Sequence, residues 1–283
     1  MGEHNDQLSV AACLDIIAGC RNAVLPGDRL TLAIGGAPVG YVRPALGAAL
    51  GGFATRTENG LVIDPRDAVH FNEVAHALAP QFGYRIRGED FDVRSRVEGP
   101  VLAILDRGAL PAFGVIGLGV HMNGYCRRRD GIYLWIARRS ASKKLDPGTY
   151  DNLVGGGISA GMTPFETLVK EAAEEAAMPA TIIAEAREVS RIAYSMERSE
   201  GLRRDVLVCY DLEVPDDFEP QPVDGEVESF QLVPLAAVPA LVARKGAVKF
   251  NVNLVLIDFL LRHHAIADPD GVIKSALAAF HAG

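Results

Sequence analysis

Glu171, Glu174 and Glu175 stand at i, i+3 and i+4. At about 100° per residue they fall on one narrow face if the segment is helical. Three carboxylates on one helix face repel one another, and a bound divalent cation relieves that repulsion. Their hard oxygen donors suit Mg²⁺ or Mn²⁺. Just upstream runs GGGISAGM (155–162), whose glycines let backbone approach a ligand closely. A divalent ion beside such a loop points to phosphate chemistry. From the carboxylates alone, a solvated Glu-rich surface is the competing reading. Arg138, Arg139, Lys143 and Lys144 lie just ahead of the glycine run. An Arg there could fork onto phosphate oxygens, or the group could be a solvated loop. His121 and Asn123 alternate in VHMNGY, where a structural role is the plainer reading for the His. Glu226 and Glu228 alternate further on. Either could take a proton from water or add a metal ligand, with solvent exposure as the equal alternative.

The elements that must hold these groups are marked in the sequence. Thr163-Pro164-Phe165-Glu166 is a helix start: an N-cap, a proline at the first helical position and a Glu completing a capping box. The helix should run to about Ala177, because Pro179 forbids continuation. Phe165, Leu168, Val169, Ala172, Ala173 and Ala176 form the expected core stripe, opposite the glutamates. Residues 114–125 and 132–137 read as strands joined by a charged hairpin turn ending in Asp130-Gly131. Residues 206–212 and 226–233 read as further strands, and 252–261 as a helix ending near His263-His264. Toward the N-terminus, 8–20 reads as a helix with Asn5 or Asp6 as cap, 30–34 and 40–42 as short strands, 67–78 as a helix and 84–93 as a strand. The glycines at 35, 36 and 40 lack a following Lys-Ser/Thr and a GxGxxG pattern, so a tight turn is expected there.

Composition bounds the possibilities. Of 283 residues, 49% are hydrophobic, enough for a packed core and incompatible with a disordered chain. The net charge of −8 argues against nucleic acid as the main partner. The most apolar stretch, 252–261, is too short to span a bilayer and carries Asp258, so no membrane partner is expected. Cys13, Cys20, Cys126 and Cys209 show no CxxC or zinc spacing. With a polar, acidic start (MGEHNDQLSV), they point to reduced thiols and a cytoplasmic location.

The segment 156–178 resembles the signature of the Nudix hydrolase family, G-x5-E-x7-R-E-x-x-E-E-x-G. Its first Gly falls on Gly156 and its metal-binding glutamates on Glu171, Glu174 and Glu175. Met162 stands where the first Glu would be, Lys170 replaces the Arg, and Ala177 replaces the last Gly. The strings FGVIGLGVHMNGYC (113–126), LWIARRSASKKLDPGTYDNLVGGG (134–157) and KFNVNLVLIDFLLRHH (249–264) are similar to one subgroup. That subgroup carries an extra N-terminal domain and is related to the N-terminal part of certain thiamine pyrophosphokinases. The resemblance implies an α/β protein: a smaller N-terminal α/β helper domain over 1–110 and a Nudix αβα sandwich with a C-terminal helix over 111–283. It implies a Mg²⁺-dependent diphosphatase, with Mn²⁺ as an alternative ion. The substrate would be a small diphosphate, thiamine diphosphate or its oxidised analogues, cut to the monophosphate plus phosphate. Glu171, Glu174, Glu175 and Glu226 would be catalytic. Gly156, Arg138, Asn123, Lys249 and Asn251 would contact substrate, the last two by matching the subgroup's pattern. A homodimer is a further expectation. The alternatives are a Nudix enzyme for ADP-ribose or another nucleotide, and a catalytically weak ligand-binding protein.

Overall fold

The computed structural model describes residues 8–278, and its architecture is mixed α/β. Helix α1 (Val10–Gly19) is capped by Ser9, whose Oγ accepts a hydrogen bond from Ala12 N at 3.1 Å. The expected cap candidates Asn5 and Asp6 lie outside the described residues. There follow β1 (Leu30–Ile34), β2 (Ala37–Val42), α2 (Pro44–Ala49), β3 (Ala54–Thr57) and β4 (Gly60–Ile63), forming one sheet in the order β2-β1-β4-β3. Gly35 turns β1 into β2 at φ +61, the tight turn expected of these glycines. A 3-10 turn at Ala68–His70 leads into α3 (Phe71–Phe82). The strand expected over 84–93 forms only as β5 (Asp90–Val93), which pairs with β6 (Ala103–Asp106). Residues before it are drawn away from strand geometry. The backbone N–H groups of Arg87 and Gly88 both donate to the Asp106 carboxylate, at 2.9 and 2.7 Å. Helix α4 (Leu110–Phe113) closes this region, and Leu32, Ile63, Phe71, Leu105 and Phe113 share one apolar cluster.

The larger sheet begins with the hairpin β7 (Ile116–Arg128) and β8 (Gly131–Arg139), whose register pairs Arg128 with Gly131. Two short strands come next, β9 (Tyr150–Asp151) and β10 (Val154–Gly157), then α5 (Pro164–Ala176) and α6 (Ala180–Ile183). The sheet is completed by β11 (Arg187–Arg198), β12 (Gly201–Glu213) and β13 (Val227–Pro234). Its strand order is β11-β12-β7-β8-β13, with β10 added to β7 and β9 to β8. β12 runs parallel to β7, and the other pairs are antiparallel. Three helices finish the chain: α7 (Val238–Ala243), α8 (Val252–Arg262) and α9 (Val272–Ala278).

Strand alternation sends apolar side chains to both faces, so both must be covered. Val120, Met122, Val208 and Tyr210 pack with Leu168, Ala172 and Ala176 of α5 and Ile183 of α6. Leu134, Ile136, Leu207 and Cys209 pack with α8, α9 and α1. The result is a three-layer α/β/α arrangement, with α1 seated beside the C-terminal helices. Strand β11 was not expected from the sequence, although its alternate residues Ile192, Tyr194 and Met196 share the apolar cluster under α8. Among the described residues, no helix is long and apolar enough to cross a membrane.

Candidate functional site

Helix α5 is fixed at its start by both arms of the capping box. Thr163 Oγ1 accepts from Glu166 N at 3.2 Å, and Glu166 Oε2 accepts from Thr163 N at 2.9 Å. It stops at Ala177, held in the left-handed region at φ +52. The core stripe is rotated from the expected one. Leu168, Ala172 and Ala176 are buried, but Phe165 is 40% exposed and Ala173 is exposed too, while Thr167 and Glu175 are buried. Glu175 comes three and seven residues after Ala172 and Leu168 and so shares their side of the helix.

The three glutamates therefore have three different surroundings. Glu175 is only 8% exposed, and its Oε2 accepts from the backbone N–H of Gly155 at 3.0 Å. Glu171 lies against Gly156, where a β-carbon would fall 2.3 Å from the Glu171 carboxyl carbon; only glycine leaves room for it. Glu174 is half exposed and ion-paired with Lys170 at 2.7 Å, and the same ammonium reaches Glu171 at 3.2 Å. Burial pushes the Glu175 pKa up to about 8, with Asp151, Glu171 and Asp224 adding to the push and the Gly155 N–H opposing it. Glu171 is raised too, first by burial, with Glu174 and Glu89 contributing and Lys170 opposing.

Among the described residues no three Asp, Glu, His or Cys side chains already converge at metal-ligand spacing. Lys170 holds Glu171 and Glu174 as an internal counter-ion. The donor set still fits a hard divalent cation. Buried carboxylates crowd against glycine backbone that leaves them space, and desolvation and mutual repulsion both disfavour their charge. Met162, at the position of the first signature Glu, brings no carboxylate and packs against the apolar cluster beneath α5.

A second group of polar residues is buried in the sheet close by. Asp151 is gripped by Arg139 at 2.6 Å and Lys249 at 3.4 Å. Burial would raise the Asp151 pKa, but Lys249, His121 and Arg139 outweigh it and hold the carboxyl low. His121 is pushed down to about 4, chiefly by burial, and is neutral near pH 7. Its Nδ1–H donates to Asn152 Oδ1 at 2.9 Å, and Asn152 Nδ2 donates to Asn123 Oδ1 at 2.7 Å. Asn123 Nδ2 in turn donates to Asp211 Oδ1 at 3.0 Å. Glu175 lies within electrostatic reach of both Asp151 and Lys249. The fold thus brings Asn123, Lys249, Glu171, Glu175 and Gly156 into one neighbourhood. Asn251, at the start of α8, is buried with an Oδ1 that finds no donor.

Two expected residues have partners outside this group. Arg138 stacks over the Tyr150 ring at 4.8 Å. Glu226, just before β13, is paired with Lys143. Burial would raise the Glu226 pKa, but Lys143, Arg107 and Arg139 outweigh that and keep it ionised. Glu228 is exposed. Reading the sequence missed Asp151, Asn152 and Asp211. Only the Asp-Asn pair directly ahead of the glycine run offered a local signal.

Residues 118–253 match the NUDIX domain family. Nudix hydrolase 20, chloroplastic, of Arabidopsis thaliana is 46% identical over 178 residues, covering 63% of this chain and 48% of that protein. Nudix hydrolase 24, chloroplastic, of the same plant is 41% identical over 181 residues, 64% of this chain and 50% of that protein. An uncharacterised protein of Saccharomyces cerevisiae is 33% identical over 176 residues, 56% of this chain and 51% of its own length. The chain spans about half the length of these relatives.

Proposed function

We propose, from the match of residues 118–253 to the NUDIX domain family, that the protein hydrolyses a phosphoanhydride bond in a small diphosphate substrate. The observation that carries this reading is the seating of Glu171 and Glu175 against Gly155-Gly156 by a firmly capped helix. Glu171, Glu174 and Glu175 would hold Mg²⁺ or Mn²⁺. When bound, the ion supplies charge neutralisation at phosphate and a more acidic water.

The chain's own groups do the rest. The Gly155 N–H orients Glu175. Lys170 keeps Glu171 and Glu174 aligned, as the signature's Arg would, but as a point charge without the fork. Glu226, held ionised, has an oxygen able to take a proton from water. Lys249 offers positive charge to phosphate oxygens, Asn123 a polar side chain on β7, and Asn251 Oδ1 an acceptor for a donor on the substrate.

The substrate is thiamine diphosphate or an oxidised analogue, cleaved by water to the monophosphate and inorganic phosphate. The similarity of 113–126, 134–157 and 249–264 to the thiamine-linked subgroup supports this. So do the hydrogen bond from Asn152 to Asn123 and the electrostatic reach of Lys249 to Glu175, which draw on residues of those three strings. The four free, buried cysteines support a reducing compartment, in keeping with a cytoplasmic location. The test is a phosphate-release screen with Mg²⁺ over thiamine diphosphate, its oxo and oxy analogues, ADP-ribose and nucleotides. Mg²⁺-dependent phosphate release from the thiamine compounds is expected. AMP release from ADP-ribose in preference would replace the substrate assignment. Absence of turnover on the whole set would favour a ligand-binding protein.

A further inference from the structure

The glycine loop between β10 and α5 is a contact surface for the N-terminal region. Ala160 N donates to Asp90 O at 2.7 Å. The Phe91 ring lies so close to Gly157 that a β-carbon there would fall 2.5 Å from it. Ser159 Oγ donates to Glu89 Oε1 at 3.3 Å. Glu89 therefore stands beside the loop whose own carboxylate position is taken by Met162. Its charge reaches Glu171, where it adds to the cost of ionisation.

Glu89 is held there by design of the local backbone. The buried Asp106 carboxylate accepts from Arg87 N, Gly88 N and Gly108 N, which clamps residues 87–89 against the end of β6. Arg107 N closes the turn on Glu89 O at 2.8 Å, and the Arg107 guanidinium pairs with Glu89 Oε2 at 2.8 Å. Arg107 also lowers the pKa of Glu226. One short hairpin of the N-terminal region thus delivers an anion toward Glu171 and a cation toward Glu226. A partly exposed carboxylate fixed by a buried clamp, with a glycine loop packed onto its strand, is more construction than its ion pair with Arg107 within the same hairpin requires.

We propose that Glu89 supplies the negative charge missing at Met162, so that the divalent-metal site is completed by the N-terminal region. This rests on the metal-dependent reading above. Affinity for a hard cation rises with the carboxylate charge around it, and the site would otherwise be one charge short of the family signature.

The test is calorimetric titration of Mn²⁺ into the full-length chain without substrate. Four proteins are compared: wild type, Glu89→Gln, Ser159→Ala and Glu171→Gln, each checked for an unchanged far-UV spectrum. Glu89→Gln keeps the shape and an acceptor for Ser159 but removes the charge. It should weaken Mn²⁺ binding about three- to tenfold, as loss of one carboxylate charge from the site predicts. Ser159→Ala removes the hydrogen bond and keeps the charge, and should bind within about twofold of wild type. Wild-type affinity in Glu89→Gln, with loss in Glu171→Gln, would overturn the proposal and leave the metal site standing. Equal weakening in Ser159→Ala and Glu89→Gln would also overturn it, since loop placement would then be the cause. Failure of wild type to bind Mn²⁺, or no loss in Glu171→Gln, would overturn the metal-dependent reading and this proposal with it.

Discussion

Glu175 sits where burial works against its own charge. Read from helical angle alone, it belongs with Glu171 and Glu174 on a solvent-facing stripe. In the fold it is buried, with one backbone donor and carboxylates as neighbours. A lone buried carboxylate is costly when charged. Glu175→Gln keeps an acceptor for Gly155 and removes the charge. In the presence of a chelator its melting temperature should therefore equal or exceed that of wild type. Turnover with Mg²⁺ should fall by at least about a hundredfold, more than loss of a residue that merely supports a metal ligand. Thermal melts and steady-state rates check both halves, and a lower melting temperature would mean that the charged form stabilises the metal-free fold. Gly156→Ala tests the same site from the backbone side. The new methyl meets the far end of a flexible side chain, so stability should change by less than about 1 kcal/mol. The Glu171 carboxylate must move by about an ångström, a displacement that costs about a hundredfold in rate at a positioned catalytic group. Unchanged kcat in this variant would show that Glu171 does not need its place over Gly156.

Helix α5 was legible because its signals are local. Thr163, Pro164 and Glu166 define its start within four residues, and both capping hydrogen bonds form. Its rotation was not legible, since angle tells which residues share a side but not which side the sheet will cover. Phe165 and Ala173 face out while Glu175 turns in. The helix end also differs in mechanism from the sequence expectation: the chain leaves through Ala177 at φ +52, before Pro179 is reached. An L-residue with a β-carbon pays about 1–2 kcal/mol in that region, against about 0.5–1 kcal/mol for the extra chain entropy of glycine. Ala177 is exposed, so its methyl has little packing to lose. Ala177→Gly should stabilise the protein by about 0.5–1 kcal/mol, read as a higher urea midpoint at unchanged slope. A lower midpoint would mean that the Ala177 methyl contributes packing that outweighs its strain. Strand β11 escaped notice for the opposite reason. Its alternation of Ile192, Tyr194 and Met196 is a strand signal, but Arg187, Glu188, Arg191, Glu197 and Arg198 give the segment the texture of a surface loop.

What the sequence could not reveal is how the layers are tied together, because those contacts join residues 50 to 90 positions apart. Asp211 on β12 accepts from Asn123 on β7 at 3.0 Å and from Arg262 on α8, whose Nη2 lies 3.1 Å away. Arg262 also donates to Asp258 at 2.9 Å, and Asp258 accepts from Ser190 on β11 at 2.9 Å. One charged node thus links three strands of the sheet to the helix behind it. Burial would raise the Asp211 pKa, but the neighbouring His263, hydrogen bonds from Arg262 and Asn123 and the charge of Arg262 outweigh it and hold the carboxyl below its ordinary value. A carboxyl whose folded pKa is depressed stabilises the native state at all pH above its unfolded value. That contribution is lost as pH falls through the folded value. Asp211→Asn removes the charge and leaves the partly buried Arg262 guanidinium with Asp258 as its remaining carboxylate. The variant should be about 1–2 kcal/mol less stable than wild type at pH 7, below the cost of breaking a fully buried pair because Arg262 is partly exposed and keeps Asp258. The gap should persist down to the ordinary carboxylate range near pH 4 and shrink below it, as wild type too becomes protonated at this position. Urea midpoints for both proteins from pH 7 to pH 2.5 measure it. A gap that stays constant into strong acid would show that the Asp211 charge contributes nothing to the tie, and that only its shape matters there.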